Sequence, residues 1–206
     1  MLGQAKVLFD YWPTQTEWFV VGGPANWDEA QTVHAEYLHV KCIGFEPNLD
    51  FVEAQNEELE FPGIVHNCAL WSSKEKRSLI TPQGSTHMSS SICRKNPCPD
   101  VGEWIEGESV SIQTRTLDLL SREFGPFRNA VLWLDIEYAE LEALKGATDL
   151  LESGSILLIN LESFAHLDFP EVNRLLSRYG FVLQKVWNIG TVAGQDAQDY
   201  LYLLER

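Results

Sequence analysis

Two hydrophobic rhythms alternate along the chain: short runs of consecutive apolar residues, and longer segments whose apolar residues return every three or four positions. Trp18-Phe19-Val20-Val21 is the first short run, and it ends at Gly22-Gly23-Pro24. Asn26, followed three positions later by Glu29, has the spacing of a helix cap with its capping-box partner and predicts a helix over about Trp27 to Leu38. Val40 to Glu46 reads as the second strand. Asn48 then caps a helix that puts Phe51, Val52, Gln55 and Leu59 on one side, and Ile64 to Leu70 predicts a third strand.

From Trp71 to Gln113 the rhythm breaks. Strand-like pieces at Ser78 to Thr81 and Val110 to Thr114 bracket a stretch rich in Ser, Pro, Gly and Cys, the kind of irregular insertion that carries function or partner contacts. Thr116 caps a short helix that Gly125-Pro126 stops. Ala130 to Asp135 is nearly all apolar, as expected of a strand buried on both faces at a sheet centre. Leu141, Leu144, Ala147, Leu150 and Leu151 repeat at helical spacing, Ser155 to Leu161 is a fifth strand, and Pro170 to Tyr179 a helix. Phe181 to Trp187 and Tyr200 to Glu205 predict a closing antiparallel pair. The sum is an α/β fold: a doubly wound sheet with an antiparallel C-terminal hairpin. No repeat or linker divides it, so the expectation is one domain over 1–206 with an irregular insertion at about 71–113.

The 206 residues, 45% hydrophobic and 11% aromatic, can bury a core without help from metal or disulfide. Fifteen Lys and Arg against thirty Asp and Glu leave a net charge of −15, which repels phosphate backbones and anionic surfaces. Nucleic acid and membrane are therefore not expected as partners. No apolar run approaches the roughly 18 residues of a spanning helix, and Met1 to Trp12 lacks a leader pattern, so a cytoplasmic protein is expected. Cys42, Cys68, Cys93 and Cys98 form no CxxC pair and have no histidine at zinc spacing, which predicts free thiols and no metal site.

In doubly wound sheets, ligands bind beyond the carboxyl ends of the strands, where the strand order reverses. Gly22-Gly23 lets backbone approach a ligand closely, with a tight strand-to-helix turn as the plainer reading. Glu46, 24 positions after Gly22, can accept hydrogen bonds from the vicinal hydroxyls of a ribose, or be a solvated loop acid beside Pro47 and Asn48. Asp135 ends the central apolar run, where an unmatched acid incurs a desolvation cost. Glu137 follows as either a substrate-facing acid or a helix N-terminal one. His87, in the insertion, is the histidine placed to relay a proton. Ser89-Ser90-Ser91 lacks a nucleophile elbow, so a hydrolase triad is not indicated.

Gly44-Phe45-Glu46-Pro47-Asn48, Asn67-Cys68-Ala69-Leu70-Trp71-Ser72, Thr116-Leu117-Asp118 and Leu134-Asp135-Ile136-Glu137-Tyr138-Ala139-Glu140-Leu141-Glu142-Ala143-Leu144-Lys145-Gly146-Ala147 occur in this order. Together they resemble the FkbM family of S-adenosylmethionine-dependent methyltransferases, over roughly Phe19 to Phe164. The resemblance implies a class I methyltransferase (Rossmann-like) fold of seven strands and an enzyme that methylates an oxygen or nitrogen of a small molecule, glycan or peptide. It implies that Glu46 binds the cofactor's ribose, with Pro47 also among the cofactor-binding residues, that Ala69 and Leu70 border its adenine, and that Gly22-Gly23 pass its methionine portion. Asp135 would face its amino end and the substrate entrance, and Asp135, Glu137 or His87 would assist proton loss. Tyr138 stands where the family favours glycine, and its ring could stack on a flat or sugar-like acceptor. The alternative is a non-catalytic module of the same fold, marked by Pro24 and Trp27 filling the methionine pocket. A nicotinamide-dependent oxidoreductase would need a Gly-x-Gly-x-x-Gly turn that the chain does not have.

Overall fold

A computed structural model describes residues 5–24, 28–57, 63–82, 107–164, 169–192 and 195–205. A 3-10 helix (Ala5–Tyr11) precedes β1 (Trp18–Gly22), α1 (Asp28–Glu36), β2 (Lys41–Glu46), α2 (Leu49–Glu57) and β3 (Gly63–Asn67). A short β4 (Ala69–Leu70), β5 (Lys76–Pro82) and β6 (Gly107–Arg115) follow, then α3 (Leu117–Phe124) and β7 (Ala130–Leu134). The chain continues through α4 (Glu140–Lys145), α5 (Thr148–Ser153), β8 (Ile156–Phe164), α6 (Phe169–Arg178), β9 (Phe181–Val192) and β10 (Gln195–Leu204).

The main sheet has seven strands in the order β3-β2-β1-β7-β8-β10-β9. The pairings from β3 to β8 are parallel, and β10 runs antiparallel to both β8 and β9. This is the class I methyltransferase arrangement, with the last strand inserted antiparallel as the sequence predicts. All five residues of β7 are buried, because helices cover both faces of the sheet. On one face Phe45, Leu132, Leu134 and Leu161 pack with Leu120, Leu144 and Leu176 from the helices. On the other, Phe19, Val21, Trp133 and Leu201 pack with Ala30 and Val33 of α1 and with Leu8 of the 3-10 helix. From β1 the chain winds outward through β2 and β3, then returns to β7 and winds the opposite way. The order thus reverses between β1 and β7, where neighbouring loops diverge and leave a crevice.

Two elements depart from the sequence pattern. The predicted strand Ile64 to Leu70 is two strands: β3 ends at Asn67, and β4 joins β6 and β5 in a separate three-stranded sheet. The Asn67 amide turns back to donate to the carbonyls of Glu46 (3.2 Å) and Pro47 (2.9 Å), and the chain bends there. The helical repeat from Leu141 to Leu151 is broken at Gly146-Ala147. Gly146 packs so closely that a Cβ would lie 2.3 Å from the Trp71 carbonyl oxygen. Asn48 caps α2 and Thr116 caps α3 as expected, through hydrogen bonds to the amides of Asp50 (3.0 Å) and Leu119 (3.2 Å). Cys42 and Cys68 are free and buried. Asn26, Trp27, Leu59, His87, Ser89-Ser90-Ser91, Cys93 and Cys98 lie outside the described residues.

Candidate functional site

The strand register sets the candidate site. Phe45, Gly22, Leu134, Leu161 and Tyr200 form one row across β2, β1, β7, β8 and β10. One residue further on, the same five strands present Glu46, Gly23, Asp135, Glu162 and Asp199. Four carboxyl groups and one glycine thus line the sheet edge over four strand spacings, about 19 Å. Glu29, near the start of α1, adds its charge to this group from the side.

Gly22 and Gly23 close the centre of the row. The Gly23 amide donates to the Phe45 carbonyl (3.0 Å), and the Gly22 carbonyl accepts from the Asp135 amide (3.1 Å). Gly23 has φ 77°, and a Cβ on it would lie 1.8 Å from the Asp135 carbonyl oxygen. The double glycine is therefore required by the seam itself, whatever binds above it. Ala69 and Leu70 are buried beside this seam. Leu70 packs so near Gly22 that a Cβ there would stand 2.7 Å from its Cδ1, while Ala69 joins Trp71, Leu79 and Ala139. Pro24 is buried, and its carbonyl accepts from the Gln55 side chain (3.2 Å).

Glu46 is 7% exposed. One oxygen accepts the Asn48 amide (2.7 Å), and the other has no hydrogen-bond partner among the described residues. Burial pushes its carboxyl up to about 7, against the opposing pull of the Asn48 amide. Asp135 is open to solvent yet crowded on its protein side, as befits the floor of a crevice. That crowding, a hydrogen bond to Glu162 and the charges of Glu162, Glu29 and Glu46 hold its carboxyl well above the usual carboxylate range. The shared bond raises Asp135 and lowers Glu162, so Asp135 keeps the proton and donates it to Glu162. Burial nevertheless brings Glu162 to about 7, and brings Asp199 and Glu137 there as well. Glu140, whose Oε1 accepts the Ile136 amide (2.9 Å), is lifted by burial to about 8. Glu137 and Tyr138 are held at φ 52° and 75°, a left-handed conformation that glycine adopts most readily and that a side chain adopts at a cost.

A scan against protein families matches residues 20–183 to the Methyltransferase FkbM domain. The chain belongs to this family. It is an S-adenosylmethionine-dependent methyltransferase by that membership, and the match runs from β1 into β9, across every strand of the carboxylate row except β10. A search of curated proteins finds no match. Among solved structures, M. capricolum TrmK in complex with S-adenosyl-homocysteine is 6% identical with TM-score 0.55, over 100% of this chain and 68% of that one. Precorrin-6y C5,15-methyltransferase from Geobacter metallireducens is 9% identical with TM-score 0.52, over 98% and 86%. Magnesium protoporphyrin IX methyltransferase from Synechocystis with bound SAM is 10% identical with TM-score 0.51, over 98% and 76%. At such identities these likenesses speak for the fold.

In this FkbM domain, two of the family-like segments have structural work. Asn67 pins the turn that carries Glu46, as described above. Asp118 accepts hydrogen bonds from the amides of Asp149 (3.0 Å) and Leu150 (3.1 Å), so one helix caps the start of another. Asp118→Ala is expected to cost about 1–2 kcal/mol, measured by urea denaturation. An unchanged midpoint would mean that water replaces the cap without loss.

The structure brings Gly22, Gly23, Glu46 and Asp135 together, with Glu137 in the same electrostatic group. Sequence reasoning gave no role to Glu162 or Asp199. Glu162 ends a predicted strand tip and was within reach of that reasoning. Asp199 was not, because only the antiparallel direction of β10 turns the residue before its buried run toward the carboxyl ends of the parallel strands.

Proposed function

We propose that this FkbM domain transfers a methyl group from S-adenosylmethionine to an oxygen or nitrogen of a small molecule, glycan or peptide, and that residues 1–206 act as one catalytic domain. The observation that carries the reading is Glu46: a buried carboxyl group at the tip of β2, one oxygen fixed by backbone and the other without a hydrogen-bond partner among the described residues, beside the double-glycine seam. The residues present fit the cofactor. A ribose offers hydroxyl donors to that second oxygen, and the positive sulfonium and ammonium suit the acidic groups beside the seam, Glu46, Glu29 and Asp135. Ala69 and Leu70 would supply the adenine side, Gly22 and Gly23 the methionine side, with Pro47 in the cofactor site beside Glu46. When bound, the cofactor supplies an already activated methyl group, so the protein's share is alignment and removal of one proton.

Glu137, brought by burial to about 7, is suited to take that proton near neutral pH. Asp135 stays neutral and donates to Glu162, which fixes the carboxyl side chains of the crevice floor in one arrangement. A net charge of −15 and an acidic crevice favour acceptors that are not polyanions. No helix among the described residues is long and apolar enough to cross a membrane.

Titration calorimetry of the full chain with S-adenosylmethionine and S-adenosylhomocysteine tests this. Glu46→Gln keeps the shape but loses the charge-assisted hydrogen bonds, worth about 1.5–3 kcal/mol, so Kd is expected to rise roughly 10- to 150-fold. Absence of heat with either ligand at millimolar concentration would overturn the reading.

A further inference from the structure

The far end of the carboxylate row has unmet bonding capacity that the cofactor does not account for. If the methyl donor sits over Glu46, Gly23 and Asp135, then Glu162 and Asp199 lie one and two strand spacings beyond it, about 5 and 10 Å further along the edge. Asn160 is fully buried behind them, on the same face of β8 as Glu162 and beside Asp199. Asn160 and the Trp187 side chain both hydrogen-bond toward Asp199, which is 3% exposed, while Oδ1 of Asn160 finds no donor among the described residues. Buried polar atoms are seldom left so, because each forgone hydrogen bond costs about 1–3 kcal/mol.

The charge at this end is equally one-sided. Besides the protonated Asp135, the groups acting on Glu162 and Asp199 are other carboxyls: Glu137, Glu140 and Glu29. No lysine or arginine among the described residues forms an ion pair with either of them, the four ion pairs lying elsewhere. A hydroxyl group placed here would satisfy one oxygen and leave the negative charge uncompensated. A protonated amine brings three N–H donors and a positive charge together, matching both deficits.

We infer that Glu162 and Asp199, backed by Asn160, form an acceptor subsite for a protonated amine, so that the substrate carries a cationic nitrogen next to the atom that is methylated. The inference rests on the methyltransferase reading above and narrows its substrate class.

The test is calorimetry on the full chain at pH 8, with phenethylammonium and its neutral counterpart 2-phenylethanol as probes, each titrated with and without saturating S-adenosylhomocysteine. Phenethylammonium is expected to bind at least about tenfold tighter than the alcohol, as a charge-assisted pair requires. Glu162→Gln and Asp199→Asn should each abolish most of that preference, while Asp199→Asn leaves S-adenosylhomocysteine affinity within about twofold. Equal binding of the two probes, or a preference that survives both substitutions, overturns the subsite. If S-adenosylhomocysteine binds normally in that case, the methyltransferase reading stands. Should S-adenosylhomocysteine fail to bind, that reading falls, and the titrations without it still decide whether the row selects an ammonium group.

Discussion

Gly23→Ala is expected to lose at least about 4 kcal/mol of folding stability, an exceptional cost for one methyl group. Two effects add. The position holds φ 77°, which costs a residue with a Cβ about 1–2 kcal/mol. The new Cβ would also stand 1.8 Å from the Asp135 carbonyl oxygen, a backbone atom that cannot swing aside. Relief requires parting β1 from β7, which breaks the Asp135 amide to Gly22 carbonyl bond and moves Asp135 itself. Gly180→Ala is the internal control. It has a similar φ of 86°, but its nearest neighbour, the Glu205 carbonyl oxygen, lies 3.3 Å from the added carbon, so only the conformational cost of about 1–2 kcal/mol applies. Urea denaturation of both variants separates strain from collision. Equal losses would show that the seam can open without penalty.

The second large effect is a fall in stability on raising pH from about 5 to 8, with no ligand present. Glu46, Glu162, Asp199 and Glu137 are brought by burial to about 7 and Glu140 to about 8, above their ordinary carboxyl values. For an acid with a raised folded-state pKa, the folded chain holds protons that the unfolded chain has already released. Its stabilising contribution is complete below the unfolded value near 4.5, declines as pH rises through the folded values, and levels off above about 8. These neighbours titrate as a group rather than one by one, so the expected loss is about 3 kcal/mol for the set, or roughly 6–12 °C in melting temperature for a chain of this size. Glu140→Gln should flatten the slope, since it removes one of the raised acids and with it a negative neighbour of Glu162. A melting temperature independent of pH over that window would mean that water reaches these carboxyls freely.

The legible parts of the fold were those governed by local rules. A run such as Ala130 to Leu134 has no polar face, so it can only be a strand covered on both sides, and all five residues are buried. Asn48 and Thr116 were readable as caps because a cap needs only its own side chain and an amide two or three residues on. Glu46 and Asp135 stood out as acids ending apolar strands. The break at Gly146 and the departure of Ala69-Leu70 into a second sheet were not legible. The first depends on the Trp71 carbonyl, 75 residues earlier, and on the Asp118 cap from another helix. The second depends on pairing with Thr114 and Arg115 across the insertion.

By itself the sequence determined the kind of protein: alternating strands and helices, a buried central strand, a glycine turn followed by a ribose-type acid, and a surplus of negative charge. These follow from residue type and spacing, which act over a few positions along the chain. Only the tertiary structure decided that Glu46, Asp135, Glu162 and Asp199 share one edge and contend for protons. Their meeting is set by strand order and by the reversed direction of β10, both consequences of long-range pairing that no local pattern encodes.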